Sequence, residues 1–138
     1  MSTYPKPVYV AKALRTAVTK GQRGAFAQER PDDLLVHTIR SVMQALPQVD
    51  PTRIHDLMVG CAMPEGMQGL NIARIAGLMA GLPDTVPAMT INRFCSSGVQ
   101  TVALGANQIA LGQADLILAG GVESMSQVPM GGFHPSGN

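Results

Sequence analysis

The stretch Pro87-Ala88-Met89-Thr90-Ile91-Asn92-Arg93-Phe94-Cys95-Ser96-Ser97-Gly98-Val99 decides the fold, because within it the sequence pattern of a β-strand changes to that of an α-helix. Residues 87–92 are a short apolar segment that predicts a β-strand, and residues 97–111 carry apolar side chains at helical spacing. Gly112 is the expected C-terminal cap of that helix. The helix is predicted to carry its apolar stripe on Val99, Val102, Ala106 and Ile109. A cysteine, Cys95, therefore lies at a strand-to-helix junction.

The alternation of strands and helices continues on both sides of this junction. Residues 8–14 and 54–62 predict earlier strands, and residues 115–119 predict a fourth strand that runs into Gly120-Gly121. One helix is expected to begin at Pro31 and end at Pro47, and another to start near Ile72 and close at Gly81. The order βαβαβαβ is typical of an α/β fold with a largely parallel sheet and flanking helices. The apolar face of the first helix is predicted to contain Leu34, Leu35, Ile39, Val42, Met43 and Leu46.

The predicted elements stop before the end of the sequence. Residues 1–126 are interpreted as one incomplete α/β domain, and residues 127–138 as an irregular tail rich in glycine and proline. That tail has no periodicity that would supply an element to seal the last strand.

Composition excludes several classes of function. The 138 residues, 46% of them hydrophobic, suffice for one packed domain, and ten Lys plus Arg against nine Asp plus Glu leave a formal charge of +1. Such a charge creates no field that would gather nucleic acid or an anionic membrane. Apolar runs such as residues 116–119 are far shorter than the roughly 20 residues that cross a bilayer. Residues 1–6 lack the apolar core of a secretory signal, so we expect a protein of the bacterial cytoplasm or an organelle matrix that is not secreted.

Cys95 is the candidate nucleophile. The start of a helix offers unpaired amides and partial positive charge, which favour a thiolate over a thiol. The small residues Ser96, Ser97 and Gly98 would let a substrate carbonyl approach the backbone, and either serine could cap the helix. The arrangement is the thiol counterpart of a nucleophile elbow. Position alone leaves a second interpretation open, since free cysteines are commonly inert, buried, small hydrophobic residues.

Two motifs carry a family resemblance. The segment from Asn92 to Gly98, Asn-Arg-Phe-Cys-Ser-Ser-Gly, resembles the nucleophile motif of thiolases, and Gly120-Gly121-Val122-Glu123-Ser124-Met125-Ser126 resembles the family's second N-terminal signature. Arg15-Thr16 and the segments 59–62 and 71–74 are also similar to thiolase segments, so the resemblance covers essentially the whole chain. The run 60–83 most resembles the 3-ketoacyl-CoA thiolases of fatty-acid β-oxidation.

The resemblance implies an acyl transfer through a Cys95 thioester. In this family the cysteine attacks the keto carbon of a 3-ketoacyl-CoA, acetyl-CoA leaves, and CoA collects the shortened acyl group; the reverse is a Claisen condensation. Because the acyl-enzyme is itself a thioester, its transfer back to the sulfur of CoA is nearly balanced in free energy. The resemblance implies CoA and acyl-CoA as substrates, no bound cofactor, no metal, and a homodimer or homotetramer when the protein is complete.

The sequence also departs from the family pattern. It matches only the part of a thiolase before the CoA-binding loop region, and it lacks the Asn-Glu-Ala-Phe, Gly-His-Pro and Cys-x-Gly-x-Gly motifs of the family. We therefore expect the 138 residues alone not to turn over. Two alternatives remain: a non-catalytic thiolase half that pairs with a partner through an open sheet edge, and a ketosynthase, against which Asn92-Arg93-Phe94 and the second motif argue.

The other reactive side chains are assigned mainly structural roles. Cys61 is expected to be a core or loop thiol, and Glu123 a residue that bonds neighbouring backbone, although it could act as a base. His134 lies in a Phe-His-Pro sequence and is not equated with the family's Gly-His-Pro histidine. Met125 and Met130 are interpreted as core filler or as lining for an apolar acyl pocket.

Overall fold

The computed structural model describes residues 6–135, and within them three α-helices alternate with three strands. Two 3-10 helices, at Pro51–Arg53 and Gly66–Gln68, lie in the connections before and after the first strand. The helices are α1 (Pro31–Ala45), α2 (Ile72–Ala80) and α3 (Ser97–Ala110), and the strands are β1 (Asp56–Gly60), β2 (Ala88–Ile91) and β3 (Ile117–Gly121). The strands form a parallel sheet in the order β2-β1-β3. The predicted α/β class with a parallel sheet and flanking helices is confirmed.

Helices cover both faces of the central strand, and every residue of β1 is buried. Leu57 and Val59 belong to the main core together with residues of α1 and α2, whereas Gly60 contacts the beginning of α3. Because successive residues of a strand point to opposite faces, α1 and α2 lie on one side of the sheet and α3 on the other. The near-continuous apolar sequence of β1 is therefore the pattern of a strand buried on both faces.

The predicted helix boundaries agree closely with the structure. Helix α1 begins at Pro31 and ends at Ala45, two residues before Pro47. The side chain of Asn71 caps α2 by accepting a hydrogen bond from the amide of Arg74 at 3.3 Å, and Gly81 ends α2 with a φ of 92°. This left-handed conformation is the one that a glycine adopts without steric cost.

Residues 8–14 do not form the predicted strand. They are exposed and without regular structure, with Tyr9 80% and Val10 77% accessible to solvent. A β-forming sequence becomes a strand only where another strand offers it backbone partners, and no strand among residues 6–135 does so here. The last strand lies two residues later than the predicted range 115–119, since β3 begins at Ile117 and continues through Gly121.

The predicted apolar stripe of α3 coincides only partly with its buried face. Ala106 and Ile109 are partly buried, whereas Val99 and Val102 are 74% and 53% exposed. The buried positions of α3 are Ser97, Thr101 and Gly105. A Cβ added to Gly105 would lie 3.0 Å from Cγ2 of Ile117, so the backbone of α3 approaches the sheet too closely for a large side chain. A prediction based on hydrophobicity selects the larger side chains and therefore misses the small residues that are buried most deeply.

No helix in the described part of the chain is long and apolar enough to cross a membrane.

Candidate active site

An open cavity of about 390 Å³ lies at the carboxyl end of the parallel sheet, and Cys95 is exposed in its wall. This end of an open parallel sheet is where α/β proteins commonly bind their ligands. The walls come from the ends of β1 and β3, from the turn before α3, and from the segment after β3. Its lining residues are Gly60, Ala62, Met63, Phe94, Cys95, Ser97, Gly98, Gly121, Val122, Glu123, Met125 and Met130.

The turn that presents Cys95 contains a residue in an unusual backbone conformation. Phe94 has a φ of 48°, a region that a non-glycine residue seldom occupies. Asn92 holds this turn from both sides: its Oδ1 accepts a hydrogen bond from the amide of Phe94 at 2.8 Å, and its Nδ2 donates to the carbonyl of Ala62 at 2.9 Å. The chain therefore reverses sharply after β2 and places Cys95 just before α3.

Ser97 closes the turn on its other side. Its Oγ donates to the carbonyl of Phe94 at 2.6 Å and accepts from the amide of Arg93 at 2.9 Å. Ser96 is the N-cap residue of α3, but its side chain makes no capping hydrogen bond. Of the two serines proposed as caps, Ser97 acts inside the turn and Ser96 does not cap.

Glycine allows α3 to begin directly against the end of β1. A Cβ added to Gly60 would lie 2.6 Å from the carbonyl carbon of Ser97 and 2.7 Å from the amide nitrogen of Gly98. A Cβ added to Gly98 would meet nothing within 4 Å. One glycine therefore permits a close contact, while the other leaves space open in the cavity wall.

Cys61 lies near the same end of the sheet but in a different environment. It is fully buried, and its Sγ lies 3.9 Å from the carbonyl oxygen of Gln68 and 4.0 Å from Oε1 of Glu123. Burial, and secondarily the negative charge of Glu123, raise the pKa of the Cys61 thiol to about 12. Cys61 is therefore a neutral core thiol at physiological pH.

Glu123 accepts hydrogen bonds from backbone amides, as expected, and also from the side chain of Gln68, which the sequence did not indicate as a partner. Its Oε2 accepts from the amide of Ala62 at 2.6 Å, and its Oε1 accepts from the amide of Met63 at 3.3 Å and from Nε2 of Gln68 at 2.5 Å. Gln68 is fully buried. It lies between glycines in a loop, where a lone polar side chain is usually exposed, so no sequence signal distinguishes it.

The histidines lie away from Cys95. His37 is exposed on α1, His55 accepts a hydrogen bond from the amide of Asp115 at 3.4 Å, and His134 borders a separate depression with Glu65 and Phe133. None of the three lines the Cys95 cavity. Among residues 6–135 no group of three or more His, Cys, Asp or Glu side chains is arranged to hold a metal ion.

The predicted methionines do reach the cavity. Met125 and Met130 both line it, together with Met63 and the ring of Phe94. Flexible thioether side chains of this kind adapt to apolar groups of differing shape.

Comparison with known proteins agrees with this geometry. Residues 8–134 match the family described as the N-terminal domain of thiolase. The chain is 48% identical over 127 residues to a 3-ketoacyl-CoA thiolase of Bacillus subtilis, covering 92% of this chain and 32% of that protein. It is 41% identical over 138 residues to the peroxisomal 3-ketoacyl-CoA thiolase 5 of Arabidopsis thaliana, covering 99% of this chain and 30% of that protein.

A solved structure shows the same likeness. The crystal structure of the Bacillus anthracis acetyl-CoA acetyltransferase superposes with a TM-score of 0.79 at 35% identity, covering 93% of this chain and 32% of that one. The chain thus spans about a third of the length of the relatives that it matches. With its fold, its two motifs and these matches in agreement, the chain belongs to the thiolase family and corresponds to an N-terminal portion of a thiolase.

Proposed function

We propose that this chain supplies the nucleophile of a thiolase active site, with Cys95 as the residue that carries the acyl group. The observation that supports this role is the exposure of Cys95 in the cavity wall, on a turn that Asn92 and Ser97 hold in a strained conformation. Strained backbone of this kind persists where the surrounding contacts over-determine it, and it is frequent at catalytic turns.

The reaction proposed is the thiolytic cleavage of a 3-ketoacyl-CoA, or its reverse. The Cys95 thiolate forms a bond to the keto carbon, the bond from that carbon to the adjacent methylene carbon breaks, and the departing acetyl-CoA takes a proton at the methylene carbon. The sulfur of a second CoA then forms a bond to the acyl carbon and its proton passes to a base, while the bond from that carbon to the Cys95 sulfur breaks and Cys95 returns to the thiolate. The matched proteins named 3-ketoacyl-CoA thiolase and acetyl-CoA acetyltransferase support this substrate class.

Among the residues that the structure describes, the cavity contains a nucleophile but no free base for it. No histidine lines it, and the carboxylate of Glu123 is occupied by two amides and Gln68. Loss of a single oxyanion donor costs an enzyme roughly a hundred- to a thousandfold in rate, and loss of the base adds to that. We therefore expect that residues 1–138 alone do not turn over and that a longer polypeptide supplies the missing groups.

A chimera tests this function. Residues 8–134 would replace the matching segment of the Bacillus subtilis relative, and cleavage of a 3-ketoacyl-CoA would be followed with acid-quenched peptide mapping of the acyl group. We expect activity with the acyl group on Cys95, retention of activity in Cys61→Ala, and its loss in Cys95→Ser. An active Cys95→Ser chimera, or an acyl group on another residue, would refute the assignment.

A non-catalytic assembly module is the second candidate. Within residues 6–135 the strand order leaves both β2 and β3 as open edges, and Val99 and Val102 form an exposed apolar strip on α3. A folded chimera that binds CoA thioesters but never forms a Cys95 thioester would favour this candidate. Preference for a carrier-protein thioester over a CoA thioester as the acyl donor would instead favour a ketosynthase. The thiolase proposal includes two further expectations. The longer protein is expected to be a homodimer or homotetramer, and to lie in a bacterial cytoplasm or an organelle matrix.

A further inference from the structure

A polar network that the acyl-transfer chemistry does not use holds one wall of the Cys95 cavity. The wall is the segment 60–63 after β1, of which Gly60, Ala62 and Met63 line the cavity. The amide of Cys61 still donates to the carbonyl of Ile91 in β2 at 3.0 Å, but past Cys61 the segment leaves the sheet, so the amides of Ala62 and Met63 need other acceptors. Glu123, two residues after the end of β3, provides them.

Gln68 completes the network, and all its polar atoms are used. Its Nε2 donates to the carbonyl of Met63 at 2.8 Å and to Oε1 of Glu123 at 2.5 Å, while its Oε1 accepts from the amide of Ser124 at 2.9 Å. The side chain therefore joins the segment after β1 to the segment after β3. Since Gln68 is fully buried, each of these bonds would be costly to leave unmade.

We propose that Glu123 and Gln68 are positioning residues, which fix the wall formed by residues 60–63 and so maintain the cavity in which an acyl chain lies beside Cys95. The acyl-chain part of this role rests on the proposed function, whereas the fixing of the wall does not. Neither residue touches the reacting atoms in this assignment.

The geometry favours positioning over base catalysis for Glu123. Each carboxylate oxygen already accepts at least one hydrogen bond, and charged acceptors form the stronger bonds of this type. The same charge lies beside Sγ of Cys61 and helps to hold that thiol un-ionised. An amide in its place would bring a donor group to a site where three donors converge.

Amide hydrogen exchange of the 138-residue chain tests the fixing of the wall. In Glu123→Gln we expect the amides of Ala62 and Met63 to exchange about tenfold faster or more, while those of Met58 and Val59 in β1 keep their protection. Gln68→Met, of similar size but without the hydrogen bonds, is expected to have the same local effect and to expose the amide of Ser124. Glu29→Gln, at an exposed glutamate outside the network, is the matched control and should change none of these rates.

A second measurement tests whether the wall serves the cavity. N-methylmaleimide and N-hexylmaleimide react with the same Cys95 thiolate, so the ratio of their rates cancels the reactivity of the sulfur and isolates the effect of the alkyl chain. We expect the wild-type ratio to exceed that of a cysteine peptide severalfold because the cavity receives the hexyl group, and Glu123→Gln to bring it close to the peptide value. A purely stabilising residue would not change this ratio in a folded variant.

The outcomes separate the two claims. Unchanged protection of Ala62 and Met63 in both variants, or an equal loss of protection throughout β1, would overturn the positioning role. A wild-type ratio equal to that of the peptide would overturn the acyl-chain cavity and with it that part of the proposed function, while the exchange result would still decide whether the wall is fixed by Glu123 and Gln68.

Discussion

Gly60 and Gly98 lie on either side of the contact between the end of β1 and the start of α3, and replacing each by alanine should change the stability of the fold in opposite directions. In Gly60→Ala the new Cβ would lie 2.6 Å from the carbonyl carbon of Ser97, 2.7 Å from the amide nitrogen of Gly98 and 2.8 Å from Cβ of Ser97. Carbon contacts are favourable at about 3.5–4.0 Å, so α3 would have to move away by about 1 Å. All three clashing atoms belong to the rigid start of a helix, so rotation of a side chain would not relieve the strain.

The size of the effect follows from two opposing contributions. Overpacking of a well-packed site destabilises the native state by about 1–3 kcal/mol. Replacement of glycine by alanine returns about 0.4–1 kcal/mol by restricting the unfolded chain. We therefore expect Gly60→Ala to lower the free energy of unfolding by about 1 kcal/mol. The displacement should also slow acyl transfer by about a hundredfold in a functional chimera, because a shift of about 1 Å misaligns a nucleophile.

Gly98→Ala is the matched control, since its added Cβ meets nothing within 4 Å and the residue lies in the first turn of α3. It should leave stability unchanged or raise it by up to about 1 kcal/mol. Urea unfolding of the three proteins, followed by circular dichroism, measures both effects. Equal stability of Gly60→Ala and the wild type, or a larger loss in Gly98→Ala, would refute the close-contact interpretation.

Three further perturbations test other parts of the structure. Iodoacetamide should label Cys95 and spare Cys61, because raising the pKa of Cys61 from 9.0 to about 12 reduces its thiolate about a thousandfold; mass mapping that finds equal labelling of the two cysteines in the folded chain would contradict this. Asn92→Ala should lower the free energy of unfolding by about 2 kcal/mol through the loss of two hydrogen bonds, whereas Asn92→Asp, which keeps the acceptor for Phe94, should lose about half as much in urea unfolding. Burial raises the pKa of Asp56 above its ordinary 3.8, so the native state binds the proton more tightly than the unfolded chain, and this stabilising contribution is lost as the pH rises through the raised pKa. Asp56→Asn should therefore have a higher melting temperature than the wild type at pH 7 and the same melting temperature below pH 3; a lower melting temperature at pH 7 would count against burial as the cause.

Local signals predicted the helices well, because each boundary has a cause within a few residues. Pro31 begins α1 since it needs no amide partner in a first turn, Asn71 caps α2, and Gly81 ends it in a left-handed conformation. These residues act on their own neighbours, so their effects can be inferred without knowledge of the tertiary structure. The strand-to-helix junction at Cys95 was predictable for the same reason.

The predictions that disagree with the structure depend on residues distant in sequence. A strand at residues 8–14 depends on a neighbour that is distant in sequence, and the buried face of α3 depends on how closely Thr101 and Gly105 can approach the sheet. The hydroxyl of Thr101 lies 2.8 Å from the carbonyl oxygen of Gly98 and 3.0 Å from that of Gly120, a contact between α3 and β3. Hydrophobic periodicity contains no information about interhelical or helix-to-sheet distance, so it favoured Val99 and Val102.

The opposite environments of Cys61 and Cys95 explain why two cysteines near one end of the sheet would have different chemistry. The chain after β1 folds back over Cys61, and Gln68 and Glu123 fasten it there, so the thiol is buried beside a negative charge. The chain after β2 reverses at Phe94 instead, which leaves Cys95 outside the core and before the helix. Exposure is thus determined by the two turns and not by the residue type. Asn92 donates a hydrogen bond to the carbonyl of Ala62, and Glu123 accepts one from the amide of Ala62, so the two turns are linked through this residue. A change in either turn would therefore alter the cavity that Cys95 faces.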